Sequence, residues 1–482
     1  MMRQRKGAAI GWLLGVSLAA AGCATAAGSG GWSAAQSVPG VTFQAVGQVY
    51  TTPSYVAASC SSPQDCTVVY APTSKGVFSV TRRGGTWGAP RQVPGLGRSE
   101  GMALKLACTR AGDCLLAATA PVSFGDDEVS VARLTHGTWS PARPLPGLDA
   151  LYPGYSSQVS AVACGQQGWC ALVGGSEPPD KFGRDGKAFV ASEHDGNWAQ
   201  AQAVPGLAAL TGSWAAGVDL VSCDSGDTCT AAGDYRDHAV RNDEPYVVTA
   251  TAGRWGRARP IAGSASLGAS EITALACPAP GDCSAAGTAS ANDTRIPPQM
   301  FTVSQTGGSW HRATPLRGSI ALPYFADTKN ITALTCTAPG RCTALGAYAT
   351  SANSTDSVPV EALPFEAVQT RGRWSAIHAI SGLPAKPVAW VTSVSCASTG
   401  TCAAGGFWLN NANGDEHTIS SNHAFVATET RGRWKAVPVP GLAALGSRDS
   451  TVDTISCQPH RGCIVVGDFT VRGRNLFTTS SR

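Results

Sequence analysis

Ile272-Thr-Ala-Leu-Ala-Cys277-Pro-Ala-Pro-Gly-Asp-Cys283-Ser-Ala-Ala-Gly287, continued by Met300-Phe-Thr-Val-Ser-Gln305 and Gly308-Ser-Trp310, is the stretch on which the fold turns. A short β-like run leads into the first cysteine and another leaves the second. Between them stand five residues rich in turn formers. Two strands joined by such a loop make a hairpin, and cysteines flanking the loop face each other across it at bridging distance. A third strand then runs to a glycine turn, and a Trp two residues beyond the glycine opens a fourth.

The unit recurs along the whole chain. Sixteen of the 17 cysteines form pairs of one spacing, C-x5-C: Cys60/Cys66, Cys108/Cys114, Cys164/Cys170, Cys223/Cys229, Cys277/Cys283, Cys336/Cys342, Cys396/Cys402 and Cys457/Cys463. Gly-x-Trp turns accompany them at Trp32, Trp87, Trp139, Trp198, Trp255, Trp310, Trp374 and Trp434. Four antiparallel strands per repeat of roughly 50 to 60 residues are the signature of a propeller blade. The expectation is an all-β, eight-bladed β-propeller with four antiparallel strands per blade. A Trp at a fixed place in every blade is read as packing between blades.

The chain ends complete this picture. The last repeat stops within its third strand, at Leu476-Phe-Thr-Thr-Ser-Ser-Arg482, while an orphan Trp-led strand begins at Gly30-Gly31-Trp32. Joining end to start rebuilds a whole repeat, so the N-terminal strand is expected to complete the last blade and close the ring. Closure also removes open sheet edges.

Ahead of the repeats stand a basic stretch from Met1 to Lys6, an apolar run from Gly7 to Ala21, and small residues before Cys23, the three parts of an export signal. The run is too short to favour a transmembrane span. Ala20-Ala21-Gly22-Cys23 resembles the bacterial lipobox, although Ala20 replaces the usual Leu. This implies a signal peptide over 1–22, a lipidated Cys23 heading a tether over 23–30, and one propeller over 31–482. The protein would then be held at the outer surface of the cell membrane by an N-terminal lipid; cleavage at an ordinary site would secrete it. Export favours disulfides over metal for the cysteine pairs, since zinc sites use shorter spacings and further ligands. Each small loop closed contributes about 2 kcal/mol in the chain-entropy model.

Charged residues make up 14% of the chain and hydrophobic ones 43%, with 56 Gly and 30 Pro, which suits a core-forming chain rich in turns. The net charge of +4 falls to +1 once Arg3, Arg5 and Lys6 are removed (4 − 3), so nucleic acid is not an expected partner. A monomer is expected.

The pattern Ser-Cys-x5-Cys-x-Ala-x-Gly, seen at Ser395-Cys396 and at Cys229-Thr-Ala-Ala-Gly233, resembles repeats of exported actinobacterial β-propeller proteins. These are often labelled sialidase-like, and the resemblance implies fold far more than activity. Sialidase Asp-boxes occupy the same turn, but here the Gly precedes the Trp by two residues, not three, and no Asp stands five before it. Quinoprotein propellers carry a disulfide between adjacent cysteines, which this chain lacks.

Propeller topology puts the disulfide and glycine turns on one face and the remaining connections on the other. The first set is short and uniform. The second is longer and varied: Phe124 to Glu128, Gly174 to Lys187, Asp234 to Glu244, Thr350 to Leu363 and Phe407 to His423. Binding is expected on the variable face. Aromatics without a repeat counterpart collect there, and Trp214, Trp408, Trp390, Tyr152, Tyr235 and Tyr324 are the candidate ligand-binding residues for a glycan or a protein. Trp214 and Trp408 are preferred, because they stand amid Gly, Ser and Asn with little local core. Asp126-Asp127-Glu128 and the stretch from Asn411 to Glu416 raise calcium, but neither follows the EF-hand order, and no cofactor is expected. No HExxH, G-x-S-x-G or P-loop occurs, so no catalytic residue is assigned. A non-catalytic, surface-anchored binding propeller is the leading expectation. A glycan-processing hydrolase would need two carboxylates and an Arg converging on the central funnel from different blades; an architectural envelope lipoprotein is the third reading.

Overall fold

The computed structural model describes residues 31–43, 56–72, 76–97, 103–110, 112–123, 126–178, 186–212, 214–237, 242–290, 299–319, 329–352, 359–384, 387–410 and 421–481. The fold is all-β and antiparallel, with two helices of four residues each among the described residues. Eight blades follow one another in chain order, with inner strands Val56–Ser62, Ala103–Arg110, Ser156–Cys164, Leu220–Cys223, Ala269–Ala279, Lys329–Ala338, Pro387–Ser398 and Asp449–Gln458 (blades 1 to 8). Each inner strand packs beside the next, and that of blade 8 packs beside that of blade 1, so the inner strands ring a central channel. A single parallel bridge, Ala362 to Val388, joins the sheets of blades 6 and 7.

All eight expected disulfides are formed, each across the first hairpin of its blade. Sequence spacing gave the pairing of these cysteines without their depth in the fold. Cys66, Cys114, Cys170 and Cys402 are buried, at 1 to 2% exposure. Each opens the second strand of its blade, which lies inside the sheet and is buried on both faces over five successive residues, as at Cys66 to Tyr70 and Cys170 to Gly174. The first cysteines of these four pairs, on the inner strands, are half-buried. These bridges therefore belong to the core.

The turns before Trp87, Trp139, Trp198, Trp255, Trp310, Trp374 and Trp434 have positive φ at both central residues, as at Arg371 (51°) and Gly372 (77°), the type I′ geometry that matches strand twist. Glycine relieves the second position of steric cost. The two turns of a blade then tie together, Gly372 N–H donating to the Gly340 carbonyl at 3.0 Å.

The outer strand departs from the expected continuous run. In blades 1 to 6 it splits into two two-residue pieces, such as Asn197–Trp198 and Gln202–Ala203. The residues between turn away from their own sheet toward the preceding blade. Ala142, Ala201, Ala258, Ala313, Ile377, Ala436 and Ala35 donate backbone N–H bonds to carbonyls of Pro94, Pro146, Pro205, Ala262, Arg317, Ser381 and Pro440. The chain thus exchanges a bond within the sheet for one between blades. At the eighth seam the corresponding residue is Pro90, which has no N–H; its ring packs against Gly40 instead.

The ring closes as expected. Gln36–Phe43 pairs with Arg474–Ser481, and Trp32 bridges Ser481. Trp32 is wholly buried and donates Nε1–H to Thr428 Oγ1 of blade 7 at 3.0 Å. Between blades 8 and 1, Ser456 donates to the Cys60 carbonyl and Gln458 to that of Ser61. Each interface is a separate apolar cluster of Val, Leu, Ile, Ala and Phe, typically with a Trp, so the core is a ring of seams.

One repeated irregularity shapes the channel. The inner strands of blades 3, 5, 6, 7 and 8 bulge four residues before the first cysteine, at Ser160, Thr273, Thr332, Thr392 and Asp453. Three of these threonines reach forward to the next blade: Thr273 Oγ1 donates to the Ile331 carbonyl, Thr332 to Val391 and Thr392 to Val452, at 2.5 to 2.6 Å.

Candidate functional site

Blade 4 carries Asp219 at the position four residues before the first cysteine, and the channel opens beside it into a cleft of about 580 Å³. Residues of blades 2, 3 and 4 line it. The cleft lies on the face where second strands end and third strands begin, opposite the disulfide turns. Strand alternation sets its chemistry. Along the second strand of blade 4, Thr228–Arg236, Asp234 and Arg236 line the cleft while Tyr235 between them turns into the core.

Five carboxylates line the cleft (Asp127, Glu177, Asp219, Asp234, Asp243) against two cations, Lys187 and Arg236. Gln158 Nε2 donates to Asp127 Oδ2 at 3.0 Å, and Arg236 Nη1 lies 3.8 Å from Asp243 Oδ1. Burial at the channel mouth, reinforced by the charges of Asp219, Asp243 and Glu271, pushes the Asp234 carboxyl up to about 7. Asp219 is exposed to the cleft, yet partial desolvation by the surrounding channel still raises its carboxyl, helped by Glu271 of blade 5 and opposed by Lys105 of blade 2. Lys105 is itself lowered by burial, with the Asp219 charge acting against the shift. Carboxylates of blades 4 and 5 and a lysine of blade 2 thus act on one another across the channel.

Trp214 stands at the rim. It is 40% exposed, and among the described residues it is the large apolar side chain that the fold leaves in solvent. The Arg236 guanidinium carbon lies 6.0 Å from its ring centre, within cation–π range.

The other candidate aromatics do not join it. Trp408, expected to be open to a ligand, is corrected: it is 7% exposed and packs in the seam of blade 7 with Val391, Phe425 and Trp434, its ring 5.1 Å from His423. The strand carrying it runs on to Asn410, so alternation still buries it before the Asn/Gly loop begins. Tyr235 is corrected likewise, 5% exposed and packed against Tyr246. Trp390 is half-buried and stacks on Phe407 at 5.3 Å in blade 7. Tyr152 is half-buried, donates to the Ala188 carbonyl at 3.3 Å, and is pushed up to about 12 by burial. Tyr324, Cys23 and the acidic stretch 411–416 lie outside the described residues. The long loops expected at Phe124 to Glu128 and Thr350 to Leu363 are largely strand, since Asp113–Ser123, Asp126–Thr135, Arg341–Ala352 and Pro359–Thr370 extend into them. The buried Cys66, Cys114, Cys170 and Cys402 staple their hairpins and contribute nothing to the cleft.

Asp219 and Asp234 were not singled out from sequence. The signal was present: Asp219 takes the place that Thr fills in blades 5, 6 and 7, a departure from the repeat at a channel position. Among the described residues the cleft holds one arginine, and the neighbouring Tyr246 is buried with its hydroxyl donated to the Gly217 carbonyl at 2.8 Å. The arginine cluster and free tyrosine of sialidase catalysis are therefore not assembled among these residues. Among the described residues no three His, Cys, Asp or Glu side chains come close enough together to hold a metal ion.

No protein-family profile matches the chain, and no curated protein matches it by sequence. Solved structures that resemble it include an ulvan lyase of polysaccharide lyase family PL25 (12% identity, TM-score 0.47, 87% of this chain and 99% of that one). The β-propeller domain of the Trilobed protease from Pyrococcus furiosus is similar at 6% identity and TM-score 0.42, over 78% of this chain and 95% of that one. The Trypanosoma rangeli sialidase is similar at 9% identity and TM-score 0.35, over 71% and 56%.

Proposed function

We propose that the chain is an exported, saccharide-binding propeller that holds its ligand in the cleft beside Asp219 and Asp234, with Trp214 as the stacking platform. The carrying observation is the exposed Trp214 ring at the rim of a concave recess whose walls are carboxylates, amides and hydroxyls. A sugar presents an apolar face to an aromatic ring and a rim of hydroxyls to acceptors, and this cleft offers both. Its concavity suits a ligand chain better than a flat protein partner. The eight disulfides support an exported location.

A glycan array probed with the protein tests the reading. Capture of a discrete set of glycans is expected, with Trp214→Ala weakening it about tenfold, the loss of roughly 1.4 kcal/mol of stacking. An array without capture would overturn it. Lipid anchoring through Cys23 predicts that Cys23→Ser releases the protein into the medium; unchanged fractionation would contradict it.

A second reading, glycan cleavage, draws on the carboxylates of blades 2, 3 and 4 that share the cleft with Arg236, and on Asp234, which, held near 7, is matched to proton transfer at neutral pH. Release of reducing ends from a captured glycan, abolished by Asp234→Asn, would favour cleavage over capture.

A further inference from the structure

The pair formed by Asp219 and Asp234 has a twin in the same molecule. Asp219 stands four residues before Cys223 and Asp234 five after Cys229; Asp453 and Asp468 hold the same two positions about Cys457 and Cys463. No other blade places a carboxylate at either position. Blades 4 and 8 are four apart in a ring of eight, so the two pairs stand on opposite sides of the ring.

The twin shows what such a pair does. In blade 8 a built-in cation serves it: Arg474 Nε lies 3.4 Å from Asp468 Oδ1, and the same guanidinium charge bears on Asp453. Strand register identifies the matching position in blade 4. Asp468 pairs with Leu476, and Arg474 stands two residues before that partner. Asp234 pairs with Pro245, and two residues before Pro245 stands Asp243. Where blade 8 has its arginine, blade 4 therefore has a third carboxylate. Among the described residues no cation forms an ion pair with Asp219 or Asp234; Asp243 has Arg236, and Lys105 acts on Asp219 from blade 2. The open cleft lies where the missing cation would be.

We infer that the cleft selects a saccharide bearing a free protonated amine, whose ammonium takes at Asp219 and Asp234 the place that Arg474 takes in blade 8. This rests on the saccharide-binding reading and specifies its ligand. An acetylated amine, a neutral sugar or a uronate brings no such charge, and a uronate meets repulsion from the lining carboxylates.

Calorimetric titration of the full chain with glucosamine hexamer, N-acetylglucosamine hexamer and calcium chloride tests it. The free-amine hexamer should bind at least tenfold more tightly than the acetylated one, and added salt should narrow the gap. Asp219→Asn with Asp234→Asn should abolish the preference while leaving the weaker affinity for the acetylated hexamer in place. Trp214→Ala should weaken both. Equal affinity for the two hexamers, or a preference that survives the double substitution, would overturn the inference and leave saccharide binding standing. Tight binding of calcium without the amine would overturn it in favour of a metal. Silence with both hexamers, matched by silence on the glycan array, would remove the underlying reading as well. The preference of the unsubstituted protein decides the matter even if the double variant folds poorly.

Discussion

Glycine four residues past the second cysteine is required where the inner strand presses its backbone against the second. A Cβ on Gly406 would lie 1.9 Å from the Trp390 carbonyl oxygen, and one on Gly287 would lie 1.9 Å from that of Glu271. Blades 1 and 2 place Tyr70 and Ala118 there, and their inner strands have no bulge at this level. Gly406→Ala should therefore cost about 2–3 kcal/mol by overpacking, read as a lowered melting temperature. The tryptophans divide by the same parity. Trp408→Ala should cost about 3–5 kcal/mol as a buried large-to-small change, whereas Trp214→Ala should stay within about 0.5 kcal/mol. A thermal scan of the two separates them. Sequence alone treated them as equals, because both stand near Gly, Ser and Asn. What distinguishes them is how far each strand continues, and that depends on partner strands remote in sequence.

Elements were legible in proportion to how local their causes are. Cysteine spacing and the Gly-x-Trp turn act within one hairpin, so the hairpins and disulfides could be read directly. The burial of Cys66, Cys114, Cys170 and Cys402 could not, because it is neighbouring blades that cover the second strand. Nor could the split outer strand, since its middle residues answer to the preceding blade. Alanine three residues after Trp139, Trp198, Trp255 and Trp310 is the trace this leaves. The bulge that turns Asp219 and its counterparts to the channel was equally hidden, although its companion glycine was visible within the motif. At this scale the second strand of blade 4 makes stability depend on pH. Asp234 is held near 7 against an ordinary 3.8, so the folded chain keeps a proton that the unfolded chain sheds. That contribution is complete below about pH 3.8 and is lost as pH rises through about 7. Urea midpoints should fall between about pH 4 and 7 for the unsubstituted protein and level off above, and the fall should be shallower in Asp234→Asn. Parallel profiles would show that Asp234 ionises normally.

At the scale of the molecule, the repeat explains the ring and its exceptions mark the candidate cleft. Eight seams with a common plan close on an N-terminal strand, and the chain ends disclosed that closure because each carries the piece the other lacks. The cleft was less legible: the exposure of Trp214 was foreseen, while the carboxylates that line the recess come from separate blades and meet only once the ring is formed. Deleting residues 31–43 would strip the closing strand from blade 8 and expose the edge of Arg474–Ser481, so the shortened chain should self-associate on sizing chromatography. Elution unchanged from that of the full chain would contradict closure by this strand. Hydrogen exchange of the full chain with and without a captured oligosaccharide tests the central claim most directly. Ligand binding should slow exchange in 214–219 and 234–237, around Trp214, Asp219 and Asp234; protection confined to the disulfide turns, such as 278–282, would place the ligand on the opposite face and contradict the account.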